Sequence, residues 1–237
     1  MLTNASDPMP HAALSAEFLN ALKARRNGRD FVAESLVASR SALLIVDMQN
    51  VFVDPAGALG VSTASAVVPA INRLADGFRR CGSTVAWVRT TFSDSGRGRW
   101  QRYFDGLAPG DGGEALRQNF YAGAEGHAFW PGLNRSPADI VVDKDRFSAF
   151  VEGASDLEKI LQARGVDTLA IAGTLTNVCC ESTMRDAMMR DFQCILVGDA
   201  CAARTDSEHI ASLENAARFF GDVMNTEDVL FRLEASA

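Results

Sequence analysis

Short, continuous apolar runs recur along this chain, and they constrain its fold more than any other feature. The first, Ala42-Leu43-Leu44-Ile45-Val46, stops abruptly at Asp47. Others fall at 84–88, 139–142, 168–172 and 193–197, with a short one at 222–224. Runs of this kind suit strands buried on both faces inside a parallel sheet. Amphipathic stretches separate most of them, at 64–80, 155–164, 177–190 and 206–220, and one helix is predicted at 13–25. Strand alternating with helix at this spacing predicts an α/β fold, a doubly wound and mostly parallel sheet with helices on both sides. The exception is 93–134, rich in Gly, Arg and aromatics. A loop that long inside a compact domain is usually functional or partly disordered. The division is an N-terminal extension, 1–40, and one domain, 41–237.

Composition excludes several classes. The net charge of −7 argues against nucleic-acid binding, which needs a basic footprint. No apolar run approaches the roughly 20 residues of a membrane span. The first residues (MLTNASDPMPHAAL) lack the basic start and apolar stretch of a secretory signal, so the Asn4-Ala5-Ser6 sequon carries no weight. Five cysteines form no spaced framework, which fits reduced thiols in the cytoplasm. His11, His127 and His209 are far apart in sequence, and no Cys-x-x-Cys or His-x-x-x-His spacing accompanies them. Neither a metal nor a cofactor is expected.

In open parallel sheets, ligands bind beyond the carboxyl ends of the strands. Asp47 stands there after the first run, Lys144 after the third and Cys179 a few residues after the fourth, where a helix begins. Thr176 or Asn177 would cap that helix, whose N-terminus would lower the thiol pKa and offer N–H groups to an oxyanion. The ordinary alternatives are an inert buried thiol, a turn aspartate and a solvated lysine. Helical spacing separates Cys179 from its neighbour. Steps of three or four residues from Cys180 reach Met184, Ala187 and Met188, an apolar stripe facing the core. The same steps from Cys179 reach Ser182, Thr183, Asp186 and Arg190, which leaves Cys179 as the accessible thiol. Cys81, Cys194 and Cys201 read as structural.

Three segments together resemble the isochorismatase-like cysteine hydrolases. They are Ala42 to Asn50, Asp143-Lys144-Asp145-Arg146-Phe147-Ser148-Ala149-Phe150, and Gly173 to Ala187 with its Thr176-Asn177-Val178-Cys179 core. The resemblance covers about Ser41 to Val229. It implies a three-layer α/β/α fold and an Asp47–Lys144–Cys179 triad. It also implies a cis peptide at Thr174–Leu175, an oxyanion hole from the Leu175 and Cys179 amides, and a homodimer or tetramer. The metal motif of the family's nicotinamidases is missing, since Arg89-Thr90-Thr91-Phe92 contains no histidine. The segment around Cys179 is most similar to the ureidoacrylate and N-carbamoyl amino acid amidohydrolases. The expected reaction is therefore cleavage of a C–N bond in a small amide, ureido or N-carbamoyl substrate, through a thioester. Isochorismatase-type ether hydrolysis, a non-catalytic scaffold and a thiol redox protein are the alternatives. Expected substrate contacts are Asn50, Phe52, Trp100, Tyr103, Arg146 and Thr176. Arg97, Arg99 and Arg102 are further candidates for a substrate carboxylate, and His127, Phe129 and Trp130 for an opposite wall.

Overall fold

The computed structural model describes residues 13–236, so His11 and the sequon at Asn4 lie outside the described residues. Six strands form one sheet: β1 (Ser41–Val46), β2 (Thr84–Thr90), β3 (Ile140–Lys144), β4 (Thr168–Thr174), β5 (Gln193–Ala202) and β6 (Asp222–Met224). Their order is β3-β2-β1-β4-β5-β6, and every neighbouring pair is parallel. The eight α-helices among the described residues are α1 (Ala16–Arg25), α2 (Asn50–Val53), α3 (Val68–Arg80), α4 (Gly110–Gln118), α5 (Leu157–Ala163), α6 (Glu181–Met188), α7 (Asp206–Asn215) and α8 (Thr226–Glu234). None is long and apolar enough to cross a membrane.

Alternation along the strands makes the layers. Leu43 and Ile45 of β1 face one core with Ile71, Leu74 and Phe78 of α3 and Val229 and Leu233 of α8. Ala42, Leu44 and Val46 face the other, with Leu157 and Leu161 of α5, Met184 and Ala187 of α6 and Leu213 of α7. Both faces of β1 are buried, which is why its run is unbroken rather than alternating. The fold is the expected doubly wound α/β sandwich of three layers.

Several boundaries differ from the sequence expectation, for physical reasons. β2, β3 and β5 run on past their apolar stretches through Thr90, Lys144 and Ala202, because a parallel ladder is held by main-chain bonds that polar residues make equally well. β3 begins at Ile140 instead of Asp139, whose carboxylate accepts from Arg79 at 2.6 Å and from the Trp87 indole at 2.7 Å. The segment 93–134 is not structureless: it holds α4 and two short helical turns, Gly96–Arg99 and Tyr103–Leu107. Those pieces were hidden because glycines interrupt every periodic window there. α1 starts at Ala16, capped by Ser15, and lays Phe18 and Leu22 against Ala217. Arg26 anchors the same region by donating to Asp222 at 2.7 Å.

The switch point falls between β1 and β4, where the chain leaves the sheet in opposite directions. Close approach there demands a glycine. Gly173 pairs with Val46 at φ +120°, and a Cβ on it would meet the Val46 carbonyl oxygen at 2.1 Å. Gly173→Ala is therefore expected to cost at least about 2 kcal/mol, from backbone strain plus overpacking. Urea denaturation would show it, and an unchanged midpoint would contradict it.

Candidate functional site

Strand order and register assemble the site before any helix is considered. Adjacent strands lie about 4.8 Å apart, and Thr90 of β2 is the direct partner of Lys144 on β3. Asp47 follows β1 at once, its N–H bonded to the Val88 carbonyl of β2 at 2.8 Å. Its φ of +52° turns the chain out of the strand, a conformation that Asp tolerates better than most residues. The Thr174 hydroxyl at the end of β4 donates to the Asp47 carbonyl at 3.0 Å. Three neighbouring strand ends thus hold acid, hydroxyl and amine, and the fourth leads into the thiol.

The polar contacts close into one cluster. Lys144 Nζ donates to Asp47 Oδ2 at 2.8 Å and to Thr90 Oγ1 at 2.7 Å, while Thr90 Oγ1 donates to Asp47 Oδ1 at 3.0 Å. The Cys179 Sγ lies 3.6 Å from the same Nζ. Lys144 and Asp47 side chains are both 0% exposed. Burial acts against the Lys144 ammonium, but the Asp47 carboxylate and the nearby sulfur outweigh it and hold its pKa above the ordinary lysine value.

The nucleophile segment departs from expectation in two respects. The residues Thr176–Cys180 form a wide, π-helical turn leading into α6, with Leu175 in the cap position and no side chain capping it. Thr176 does not serve as cap because its buried hydroxyl is engaged by His209 Nδ1 of α7 at 2.9 Å. The thiol pKa is raised rather than lowered, by burial first and by the Asp47 carboxylate second, with Lys144 pulling the other way. A helix start aids a thiolate only where the sulfur keeps its hydration, and Cys179 is 5% exposed. The raised pKa favours a neutral Cys179 thiol beside the buried Asp47–Lys144 salt bridge.

Cys180 is wholly buried in the core beside Met184 and Ala187, whereas Cys179 lines the cavity. Met188, expected on the same core stripe, is 40% exposed because α6 ends there. The Thr174–Leu175 peptide is cis, and Leu175 lines the cavity with Cys179.

That cavity, about 220 Å³, opens directly onto the sulfur. Phe52, Tyr103 and Arg146 stand on its wall, and Asn50, Trp100 and Thr176 do not. Asn50 donates instead to the Glu125 carbonyl, and Trp100 backs the wall by stacking on Tyr103 with centroids 4.9 Å apart. Among the loop arginines, Arg97 pairs with Asp145 and Arg99 with Asp105. His127 bonds Thr91, and Phe129 and Trp130 pack against the core on the α3 face. Among the described residues, no group of three or more His, Cys, Asp or Glu side chains is placed to hold a metal ion.

Sequence reasoning missed Thr90, Gln49 and Arg204. Gln49 is 0% exposed and clamps Thr90 from both sides, accepting from its N–H at 2.9 Å and donating to its carbonyl at 3.0 Å. Arg204 follows β5, donates to the Leu59 carbonyl at 3.2 Å and reaches the cavity. Gln49 sits inside a quoted motif, so a signal existed for it. Nothing in the sequence separates Thr90 from Thr91.

Known proteins share the sequence pattern and the fold. The isochorismatase domain model matches residues 41–228. The chain belongs to the isochorismatase family of hydrolases. A ureidoacrylate amidohydrolase, RutB, of Methylobacterium radiotolerans is 33% identical over 192 residues, covering 76% of this chain and 74% of that protein. A cysteine hydrolase from Pseudomonas syringae superposes with a TM-score of 0.77 at 31% identity, over 87% of this chain and 98% of its own. N-carbamoylsarcosine amidase from Thermoplasma acidophilum gives 0.63 at 27% identity, over 79% and 97%.

Two outcomes follow from the buried cluster. Asp47→Ala leaves a buried ammonium unpaired and is expected to cost about 3–5 kcal/mol in urea unfolding. Adding Lys144→Met should recover part of that loss, and strict additivity would contradict the coupling. Alkylation of Cys179 by iodoacetamide should keep rising with pH beyond the usual thiol range near ~8.5. A plateau near neutral pH would reveal a preformed thiolate instead.

Proposed function

We propose that this protein is a thiol-dependent amidohydrolase acting on a C–N bond of a small ureido, N-carbamoyl or amide substrate. The observation that carries the reading is the contact of one cavity-facing sulfur with a buried carboxylate–ammonium pair. A neutral thiol beside an ionised carboxylate needs only a proton transfer to become a nucleophile.

In this reading Asp47 takes the Cys179 proton as sulfur attacks the carbonyl carbon. The Leu175 and Cys179 amides receive the oxyanion, and Lys144 compensates the negative charge gathering near it. Asp47 then passes the proton to the departing nitrogen, so ammonia or an amine leaves and a thioester remains. Water replaces the amine, gives one proton to Asp47 and attacks the thioester. The acid product leaves as sulfur recovers its proton from Asp47. In this scheme Thr90 bonds both Asp47 and Lys144 while Gln49 holds the Thr90 backbone, so the two act by fixing the acid and the amine.

The names of the relatives support C–N chemistry, since a ureidoacrylate amidohydrolase and an N-carbamoylsarcosine amidase are among them. Arg146 and Arg204 on the cavity wall support a substrate that carries a carboxylate. Five cysteines without a disulfide support a reducing, cytoplasmic setting. Ether hydrolysis of the isochorismatase kind would leave the sulfur in the cavity without a task.

Ammonia release across ureido acids, N-carbamoyl amino acids and simple amides tests the proposal. Cys179→Ala is expected to abolish turnover, while Cys180→Ala retains most of it. Equal losses in the two variants would remove the assignment of Cys179.

A further inference from the structure

The cavity is lined mostly by apolar side chains. Its polar lining is Thr90, Cys179, Arg146, Arg204 and the Tyr103 hydroxyl. Much of the rest is aromatic: Phe52, Phe92, Phe104 and Phe120 line it, with Leu116 among them. These phenyl rings pack on one another, with centroids 5.3 Å apart for Phe92–Phe104, 5.1 Å for Phe92–Phe120 and 5.5 Å for Phe52–Phe120. They form an apolar cluster of their own, separate from the two cores that cover the sheet.

Such a cluster needs a reason, because the sheet is already covered on both faces without it. The four rings come from α2, the residues after β2, the turn Tyr103–Leu107 and the residues after α4. Four separate segments thus supply a phenylalanine each to one chamber. A polar substituent placed among them would surrender its water without gaining a hydrogen bond, whereas an apolar one would gain by leaving water.

We propose that the chamber selects substrates whose group remote from the scissile carbonyl is aryl or branched alkyl, such as N-carbamoyl derivatives of apolar amino acids. The inference rests on the amidohydrolase reading for the reaction, but the selectivity is a property of the chamber itself. Burying a phenyl or isobutyl group there favours the apolar ligand by about tenfold to a hundredfold.

Binding and turnover separate the two claims. N-carbamoylphenylalanine and N-carbamoylglycine share the scissile group and the carboxylate, and differ only in the side chain. Calorimetry with the Cys179→Ala variant is expected to show at least about tenfold tighter binding of the phenylalanine derivative. Leu116→Gln on that background, with its thermal midpoint checked, should shrink the ratio several-fold by weakening only the apolar ligand. Equal binding of the two ligands, or a ratio unmoved by Leu116→Gln in a folded variant, would overturn the chamber assignment. Preferential binding with no ammonia from these compounds or from the wider panel of ureido acids and simple amides would uphold the chamber and overturn the amidohydrolase reading.

Discussion

The interaction on which the site depends is a salt bridge that has lost all contact with water. Asp47 and Lys144 meet at 2.8 Å with both side chains fully buried. Desolvating two charges is expensive, and their attraction repays it only where further hydrogen bonds complete the geometry. Thr90 supplies them, bonding both partners at once. Gln49 in turn pins the Thr90 backbone. The polar cluster is a closed network, and each member is costly to remove because its neighbours would be left unsatisfied.

That arrangement changes how the sulfur is activated. In a solvated site at a helix start, a cysteine can rest as a thiolate. Here burial and the neighbouring carboxylate push the Cys179 thiol up, and Lys144 does not offset them. Under the proposed mechanism Asp47 takes the proton only at the moment of attack, so the sulfur stays neutral until a substrate carbonyl arrives. The aromatic rings of the cavity wall favour the same step, since an apolar surrounding strengthens charge interactions inside it.

Topology explains why the residues meet although 97 and 35 positions separate Lys144 from Asp47 and from Cys179. The order β3-β2-β1-β4 sets four strand ends side by side. Thr90 and Lys144 are the last residues of their strands, Asp47 follows β1 directly, and the turn carrying Cys179 follows β4. Gly173 permits the tight approach of β4 to β1 on which the line depends.

Much of this was written locally. Unbroken apolar runs ending in Asp47 and before Lys144, with helical periodicity between them, determine a buried parallel sheet and place chemistry at its rim. The apolar stripe through Met184 and Ala187 likewise assigns Cys180 to the core from the sequence alone. What only tertiary structure decided depends on distance in space between residues remote in the chain. Thr90 rather than Thr91 joins the network because strand register faces it toward Lys144. Thr176 turns to His209 instead of the cavity because α7 packs behind it. The thiol's pKa direction reverses because solvent exclusion, which no local pattern encodes, outweighs the helix start. The phenylalanine chamber closes only when four separate segments fold over one sulfur, so no window of sequence contains it.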